Sequence, residues 1–383
     1  MNHHLPHRPR PTWLARRASA TRVAVVCTLC ALAALSSCDS LIYDDEGDCS
    51  TTRLVSLTYT MNMAYADAFA SHVESVSLYA FDADGLLAYQ KTEEAATITA
   101  AGGVMDVSDI DSGTYTLVVW ALGEEATADS YDAPTTTVGS TTIEQLTRTL
   151  VTTIETTNTG NGTTRQTVGN DLTPLLHGMT TDADLTDVSG GGTRTAEVDL
   201  TLDTNQLVVV LQHLSGAEVD VTDFTFEVSD NNALLAYDNT PSEAVTYYPW
   251  LTYTGTATTD DEEEDDDATS SAVLNRPTTT QTRSTVSVAV AEFSLNRLMA
   301  DADTRLTVYN PDGTAVLSIP VVDYALLVRG YYNSSLTDQD YLDRQSTYSM
   351  TFFLDDTDDE DNVWISTSII INGWHLILED VDL

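Results

Sequence analysis

Short runs in which apolar and polar residues alternate make up most of this chain. Residues 76–81 (VSLYAF) alternate in this way, and Asp84-Gly85 follows before the next apolar run. The same arrangement occurs across residues 306–319, with turn-forming residues at 310–313. Period-two alternation is typical of half-buried strands, and glycine suits a tight turn because it adopts positive φ without a steric cost. The pattern therefore predicts two β-hairpins.

Other parts of the chain predict further strands rather than helices. Residues 113–121, 206–211 and 366–371 are rich in Val, Ile, Leu and aromatic residues, which indicates strands, some buried on both faces. Long stretches with 3.6-residue periodicity are scarce. We expect residues 69–73 and 293–299 to be short helical or irregular crossings. The predicted fold class is all-β.

A length of 383 residues is enough for two domains, and composition indicates where they divide. Residues 156–167 and 188–195 are rich in Thr and Gly and poor in apolar residues. Short strands with frequent turns in blocks of this size predict two β-sandwiches in tandem. The predicted organisation is a signal peptide at 1–37, a tether at 38–49, an N-terminal sandwich at 50–170, a linker at 171–195, and a C-terminal sandwich at 196–383 with an acidic loop insertion at 256–272.

The charge of the chain excludes two classes of partner. The formal charge is −43, and a chain starting at Cys38 would keep all 59 acidic residues while losing five of the 16 basic ones, giving −48. Nucleic-acid binding needs clustered Lys and Arg to displace counterions. Docking onto anionic lipid needs basic segments as well. We therefore expect any membrane attachment to be covalent or hydrophobic.

The N-terminus has the pattern of an export signal. Its first part is basic and contains no acid, and residues 23–35 (VAVVCTLCALAAL) are apolar. Such a run rises only about 20 Å as a helix, which is less than the roughly 30 Å of a bilayer's hydrocarbon core. It is therefore predicted to be the hydrophobic region of a signal peptide rather than a membrane span.

Cys38 is the predicted lipid-attachment residue. Leu35-Ser36-Ser37-Cys38 resembles a bacterial lipobox. In such signals the Cys thiol receives a diacylglyceryl group, the chain is cut before the Cys, and the new amino group is acylated, here expected with palmitate. The alternative is an ordinary signal peptide with an incidental Cys. The acidic segment 39–49 resembles the surface-export signals of some Gram-negative lipoproteins, which indicates exposure on the outer face.

The remaining cysteines predict no disulfide inside the fold. Cys27 and Cys30 lie in the signal and Cys38 carries lipid, so Cys49 alone remains. The role of Cys49 stays open. So does the question of proteolytic processing after Cys38, for which Arg53 is a candidate position.

A resemblance to a known family extends over nearly all of the chain behind Cys38. It rests on the following segments: IYDD (42–45), Cys49, YADAF (65–69), VESV (73–76), HG (177–178), TN (204–205), VVVLQ (208–212), DFTF (223–226), DNN (230–232), YDN (237–239), IP (319–320), DY (323–324), QDYLDR (339–344), FFLD (352–355) and IIINGW (369–374). These segments resemble the FimB-type minor fimbrium anchoring subunits, the lipoproteins that hold the base of type V fimbriae in the outer membrane.

The resemblance implies two transthyretin-like β-sandwich domains and a role in attaching a filament and limiting its length. Its implied partner is a fimbrial stalk subunit, held by strand addition, in which an extended segment of one subunit pairs with a sheet edge of another. The C-terminal strands, at 364–371 and 374–378, either donate to the next subunit or complete their own sheet. The implied location is the outer membrane, as part of a fimbrium.

The acidic runs at 260–267 and 355–361 raise the question of metal binding. Calcium needs six to eight converging oxygens, whereas adjacent like charges repel one another and favour a solvated loop. We therefore expect no metal and no cofactor, with Ca²⁺ at these runs as the less favoured alternative. Asp82-Ala83-Asp84-Gly85 resembles part of an EF-hand loop, but Ala80 and Lys91 stand where acids are needed, so a hairpin turn explains it better.

No pattern in the sequence supports catalysis. The chain contains no GxSxG, P-loop, GxGxxG or HExxH motif. Asp338, Asp340 and Asp343 are expected to fix a loop by accepting backbone hydrogen bonds, with Arg344 as a candidate ion partner. The histidines behind Cys38 are widely spaced and are expected to be structural or surface residues: His72, His177, His213 and His375. The chain is predicted not to be an enzyme.

Two alternative functions stay open. A surface lipoprotein could bind glycans through exposed aromatic faces, and the candidate residues are Trp120, Trp250, Trp364 and Trp374. Two or more exposed, coplanar tryptophans would favour glycan binding, whereas buried ones would favour the anchor. The protein could also be an accessory or tip subunit of the fimbria, although a lipobox followed directly by the fold favours the base.

Overall fold

The computed structural model describes residues 50–123, 130–156, 164–213, 215–259, 284–354 and 368–377. For 257–259, 284–285, 368–369 and 374–377 it describes the backbone without the side chains. The signal peptide, Cys38, Cys49 and the acidic runs at 260–267 and 355–361 lie outside the described residues.

The chain forms two compact units. One comprises Met1–Thr51 and Asp187–Gly192, and within it the Val188 amide donates to Thr51 Oγ1 at 2.8 Å. The other comprises Thr52–Thr186 and Thr193–Leu383.

One sheet has seven strands and is built from residues 51–202. Its order is β3 (Leu87–Glu94), β2 (Ser75–Phe81), β5 (Thr114–Leu122), β10 (Leu175–Asp184), β11 (Gly192–Leu202), β1 (Thr51–Met61) and β4 (Val104–Asp106).

Two sheets of six strands follow. The first, called sheet A here, has the order β17 (Leu251–Thr259), β18 (Ser284–Asn296), β12 (Thr204–His213), β21 (Thr347–Leu354), β22 (Ser368–Ile371) and β23 (Trp374–Ile377). The second, sheet B, has the order β20 (Ala315–Pro320), β19 (Arg305–Tyr309), β13 (Thr225–Asp230), β16 (Val245–Tyr247), β9 (Thr164–Val168) and β8 (Thr153–Thr156).

A four-stranded sheet combines segments from both halves of the chain. Its order is β15 (Pro241–Ser242), β14 (Leu234–Leu235), β7 (Arg148–Leu150) and β6 (Tyr131–Asp132). Because β7 pairs with β14, the two predicted domains share this sheet.

The helices of the described residues are short. They are α1 (Phe69–His72), α2 (Ala95–Ala100), α3 (Val321–Leu327), α4 (Arg329–Tyr332) and α5 (Asp338–Arg344), with 3₁₀ turns at Ile143–Gln145 and Val221–Asp223. A capping box in which Thr337 and Asp340 exchange hydrogen bonds starts α5.

Two large apolar cores agree with two sandwiches. One is built from the seven-stranded sheet with α1 and α2, and includes Leu57, Leu78 and Leu117. The other joins sheets A and B, and includes Val209 and Phe226. The predicted all-β class is confirmed.

Both predicted hairpins are present. In the β2–β3 turn Gly85 has φ +73°, and the Asp82 carboxylate accepts from the amides of Asp84 and Leu86, each at 3.0 Å. In the β19–β20 turn Gly313 has φ +78°. The EF-hand-like residues therefore form a turn, as expected.

Three expectations need correction. The linker predicted at 171–195 contains β10 and the start of β11, because their apolar residues pack into the first core. Residues 256–259 of the predicted insertion form the end of β17, paired with β18. The crossing predicted at 293–299 is wrong up to Asn296, since β18 continues there with Phe293 and Leu295 in the second core. The crossing at 69–73 is helix α1.

Candidate functional site

Strand β1, which follows the predicted lipid site in the chain, lies inside the seven-stranded sheet. It is placed between β11 and β4, and Val55, Leu57 and Tyr59 are buried in the first core. Arg53 is only 7% exposed, and its Nε donates to the Leu185 carbonyl at 2.7 Å. A protease could therefore reach the Arg53 bond only after β1 had left the sheet.

The C-terminal hairpin completes its own sheet. Strand β22 pairs with β21, and β23 pairs with β22 at the end of sheet A. The turn residues Asn372 and Gly373 have φ of +47° and +83°. Asn372 exchanges two hydrogen bonds of 2.8 Å with the backbone of Ser349, one through its amide and one through Oδ1. Of the two roles left open for these strands, the structure shows completion of the sheet.

The opposite end of sheet A is a long edge without charge. Strand β17 has the sequence LTYTGTATT and is the last strand in the sheet order. Leu251 and Tyr253 are about two-fifths exposed, at 40% and 43%, and Trp250 just before them is 36% exposed. Long, uncharged edges with exposed apolar side chains are sites at which another strand can pair.

The outer face of sheet A next to β17 is mainly apolar as well. Val209 and Leu211 of β12 point into the second core, so the alternation places Val208 and Val210 on the outer face. Val290 of β18 lies opposite both Val210 and Tyr253. Glu292 of β18 lies on the same face, opposite both Val208 and Leu251, so the edge and this face together form a mainly apolar surface that carries one carboxylate.

The outer face of sheet B contrasts with it. Phe226 and Val228 of β13 belong to the core, so Thr225, Glu227 and Ser229 face outwards. The two outer faces of the second sandwich thus differ in chemistry, since apolar side chains predominate on one and polar side chains on the other.

A buried ionic network lies where the two sandwiches meet in the chain. Asp203 stands between β11 and β12 and is fully buried. Its Oδ1 accepts from Asn239 Nδ2 at 2.7 Å, and Arg297 Nε lies 4.0 Å away. Arg297 also donates twice to Asp343, which belongs to α5. Burial raises the pKa of Asp203 to about 7.

The carboxylates of α5 do not converge on one cleft. Asp340 caps the helix, Asp338 pairs with Arg329 at 2.9 Å, and Asp343 pairs with Arg297. The expectation that Arg344 is their ion partner is corrected. Its Nη1 instead donates to the carbonyls of Thr60 and Asn62, and its guanidinium lies 4.5 Å from the centroid of the Tyr65 ring.

The histidines are placed separately. His72 is exposed and bonds within α1, whereas His177 is buried against Trp120, with ring centroids 4.6 Å apart. His177 Nε2 lies 2.9 Å from the Tyr237 carbonyl, and burial lowers its pKa to about 4. His213 ends β12. The side chain of His375 lies outside the description.

The two tryptophans whose side chains the structure describes do not form a pair of exposed rings, which would favour glycan binding. Trp120 is 2% exposed in a small core between the seven-stranded and four-stranded sheets, while Trp250 is exposed at the start of β17. Trp364 and the side chain of Trp374 lie outside the description.

Within the described ranges, no group of three or more His, Cys, Asp or Glu side chains is placed to hold a metal ion. No helix in these ranges combines the length and apolar character that a membrane crossing requires.

Sequence reasoning missed the residues that organise this part of the molecule, namely Arg297, Asp203, Asn239 and Asn372. Their partners are distant in sequence, so no local motif marks them. One signal was present, because basic residues are so scarce behind Cys38 that each was a candidate for an internal ion pair.

Comparison with known proteins places this architecture among proteins of bacterial fimbriae. The family model described as fimbrillin-A associated anchor proteins Mfa1 and Mfa2 matches residues 45–380. The chain belongs to this family. The match confirms the resemblance to fimbrial anchors that the sequence indicated.

Individual relatives agree with this assignment. The minor fimbrium anchoring subunit Mfa2 of Porphyromonas gingivalis is 30% identical over 112 residues, which are 29% of this chain and 33% of that relative, so the alignment spans about a third of its length. A crystal structure of a candidate adhesin from Bacteroides thetaiotaomicron has 28% identity and a TM-score of 0.65, covering 88% of this chain and 100% of that one.

The fold itself recurs in a solved anchor protein. The structure of the fimbrial anchor protein Mfa2 from P. gingivalis has a TM-score of 0.56 at 17% identity, covering 86% of this chain and 99% of that one. At this identity the likeness concerns the fold alone. The relatives are fimbrial and adhesion proteins.

Proposed function

We propose that this protein is a lipoprotein that holds the base of a type V fimbria in the outer membrane through Cys38. The observation that carries the proposal is the family match across residues 45–380, which begins just behind the lipobox cysteine. The attached protein would be exposed at the cell surface as part of the fimbrium.

Lipid at Cys38 would provide the attachment. Several acyl chains hold a protein stably in a bilayer, whereas one chain alone is marginal. A chain with formal charge near −48 gains nothing from attraction to anionic lipid, so the acyl chains would supply the affinity.

Intact mass spectrometry of the protein from host outer membranes tests this step. We expect a diacylglyceryl group on the Cys38 thiol and a palmitoyl group on its amine. Cys49→Ala, the matched control, should keep both groups. An unmodified amino terminus in the native protein would contradict the proposal.

Strand β17 is the edge at which we place the stalk subunit. It is long and uncharged, and it adjoins the mainly apolar face that carries Val208, Val210 and Val290. Main-chain hydrogen bonds to β17 would provide affinity, and apolar side chains over this face would provide specificity. Strand β1 lies between β11 and β4, and β22 lies between β21 and β23, so neither of these two strands needs a partner's strand.

This arrangement also gives a reason why an anchor limits filament length. A subunit that offers one edge to the polymer and is held by lipid joins a single stalk subunit, so the filament cannot grow past it. The number of anchors relative to stalk subunits then sets how many filaments form and how long each becomes.

A charged substitution on the edge tests the contact. Tyr253→Lys places a charge on β17, the device by which natural edge strands prevent pairing. We expect the stalk subunit that copurifies with the anchor from solubilised outer membranes to fall by about tenfold, which corresponds to about 1.4 kcal/mol. Tyr332→Lys, at a tyrosine of similar exposure on α4, is the control. Equal copurification in both variants would contradict the β17 contact while leaving lipid attachment untouched.

A further inference from the structure

The outer face of sheet B carries a row of polar side chains that crosses five of its six strands. From β19 to β8 the row consists of Tyr309, Glu227, Tyr248 directly after β16, Arg165 and Glu155. Because the row runs across the strands, each member comes from a different part of the chain. The β-pairing itself brings these side chains together.

Arg165 is the centre of the row. Its Nε donates to Glu155 Oε2 at 3.1 Å and its Nη1 to Glu227 Oε2 at 3.0 Å, while Nη2 donates to the Tyr248 hydroxyl. The Tyr309 hydroxyl donates to Glu227 Oε1 at 2.8 Å. The guanidinium and both phenol rings are therefore held in fixed orientations.

Cavities lie on both sides of Arg165. The smaller, about 390 Å³, is lined by Thr225, Tyr248, Tyr309 and the turn at Asn310. The larger, about 610 Å³, is lined by Arg165 together with residues that include Gln166, Ser229, Glu243 and Thr246. Volumes of several hundred Å³ are those of small-molecule sites. Both cavities have Arg165 in their lining, and they are called here the two compartments of the groove around Arg165.

The lining defines the class of ligand. Hydroxyl, amide, carboxylate and guanidinium groups offer donors and acceptors in alternation, and the tyrosines add flat apolar faces. That combination matches sugar rings, which have hydroxyls around the rim and apolar C–H faces.

Charge decides between neutral and acidic sugars. In the smaller compartment the charged lining residues are the cation Arg165 and the anion Glu227. In the larger compartment they are Arg165 and two anions, Asp230 and Glu243. With a formal charge of −43 on the whole chain, the protein repels an anionic ligand. We propose that the groove around Arg165 on the outer face of sheet B binds a chain of neutral sugars.

This site differs from the glycan site that the tryptophans suggested, and sugar binding would be a function additional to anchoring. It uses sheet B, whereas the proposed stalk contact uses β17 of sheet A, so an anchor could hold a filament and a neutral glycan at once. The ligand could belong to a free polysaccharide or to the glycan of a glycoprotein, because both present the same sugar chemistry.

Affinity electrophoresis of the full chain tests the proposal, in gels containing soluble mannan, dextran or xylan, with polygalacturonate as the acidic counterpart. We expect at least one neutral polysaccharide to retard the protein and polygalacturonate to leave it unchanged. Tyr309→Ala removes one aromatic face and should weaken the apparent affinity by about tenfold. Tyr332→Ala, at an exposed tyrosine outside the groove, should keep the native affinity.

A second variant separates loss of the site from loss of the fold. Thr225→Glu adds bulk and charge at an exposed position of the smaller compartment, and should abolish retardation without changing the thermal unfolding temperature.

Retention by mannan but not by a mannose-rich glycoprotein would assign the groove to free polysaccharide, whereas retention by both would assign it to glycans of either source. The proposal would be overturned if no neutral polysaccharide retarded the protein, or if polygalacturonate alone did so. It would also be overturned if Tyr309→Ala and Thr225→Glu were retarded as strongly as the native protein. None of these outcomes depends on lipid at Cys38.

Discussion

Arg297 and Asp343 form a two-point ion pair that joins the end of β18 to helix α5. Arg297 Nε donates to Oδ1 at 2.9 Å and Nη2 to Oδ2 at 2.8 Å. Both side chains are mostly buried, with 15% and 12% exposed. Arg297 also reaches the Asn239 carbonyl at 3.1 Å, so one guanidinium ties α5 to the loop beyond β14.

Removing the carboxylate should therefore destabilise the protein strongly. In Asp343→Ala the Arg297 charge stays buried without its partner, which costs about 3–5 kcal/mol in the free energy of unfolding. Urea denaturation measures this change. Asp303→Ala is the matched control. Asp303 pairs with Arg305, but the two side chains are 77% and 40% exposed respectively, so their ion pair should contribute less than about 1 kcal/mol to the free energy of unfolding. Equal effects of the two variants would show that the Arg297 pair is not structurally important.

Asp203 and His177 should give opposite pH dependences of stability. The pKa of buried Asp203 is raised to about 7 from 3.8, so between these values the folded state holds a proton that the unfolded state has lost. Its contribution to stability therefore falls as pH rises. The pKa of buried His177 is lowered to about 4 from 6.5, so its contribution rises with pH over that range.

Difference curves from urea denaturation between about pH 4 and pH 6.5 separate the two groups. Relative to the native protein, Asp203→Asn should gain stability as pH rises, at up to about 1.4 kcal/mol per pH unit. Relative to the native protein, His177→Gln should lose stability as pH rises, with a slope of similar size. Other titrating groups cancel in the differences. Flat difference curves, or slopes of the reverse sign, would contradict the burial of these two residues.

The Asn372 side chain should hold the C-terminal hairpin in place. Asn372→Ala removes the acceptor of the Ser349 amide and places Ala at positive φ, which is strained for a residue with a Cβ. The local free energy of opening the hairpin should then fall by about 1–3 kcal/mol. The amides of residues 368–377 should therefore exchange hydrogen at least about tenfold faster. Hydrogen exchange with mass spectrometry measures this.

Asn310→Ala provides the control for the hairpin variant. Asn310 Oδ1 accepts from the amides of Asp312 and Thr314 in the β19–β20 turn. Its loss should speed exchange in residues 305–320 and leave 368–377 unchanged. Fast exchange of 368–377 in the native protein would show that the hairpin is not docked on β21.

Arg53 should resist an arginine-specific protease in the folded protein. A protease needs an extended, accessible segment, and Arg53 is paired within β1 and almost fully buried. Limited proteolysis followed by intact mass analysis should leave the Arg53 bond uncut until the protein unfolds in urea. Cleavage there under native conditions would mean that β1 leaves the sheet readily.

The local fold was predictable where alternation and turn chemistry agree. Asp84-Gly85 and Asp312-Gly313 indicated hairpins because the required positive φ is a local property of glycine. Apart from α1, where a short helical or irregular crossing was expected, the short helices were not predicted. Helix α3 (VVDYALL) has fewer than two turns, and its β-branched start gives no 3.6-residue signal. Residues 293–296 were mistaken for a crossing because Phe-Ser-Leu-Asn alone fits either element.

Contacts between distant segments were not predictable from one sequence. The parallel pairing of β12 with β21 sets Val209 opposite Met350, and it determines which side chains share a face. The Arg165 row depends on the order of five strands, and the Arg297 pair depends on where α5 packs. Each is fixed by tertiary packing rather than by a motif. The sequence before Cys38 is the reverse case, because its resemblance to a lipobox is local and predicts lipid attachment whatever the fold.

Electron microscopy of host cells and culture medium tests the anchor function most directly, comparing native protein with Cys38→Ala and Cys49→Ala. If lipid on Cys38 holds the fimbria, Cys38→Ala should release filaments into the medium, and these should be longer because a free base no longer stops growth at the membrane. Cys49→Ala should keep its filaments on the cells at native length. Filaments of native length that stay attached to Cys38→Ala cells would contradict the account.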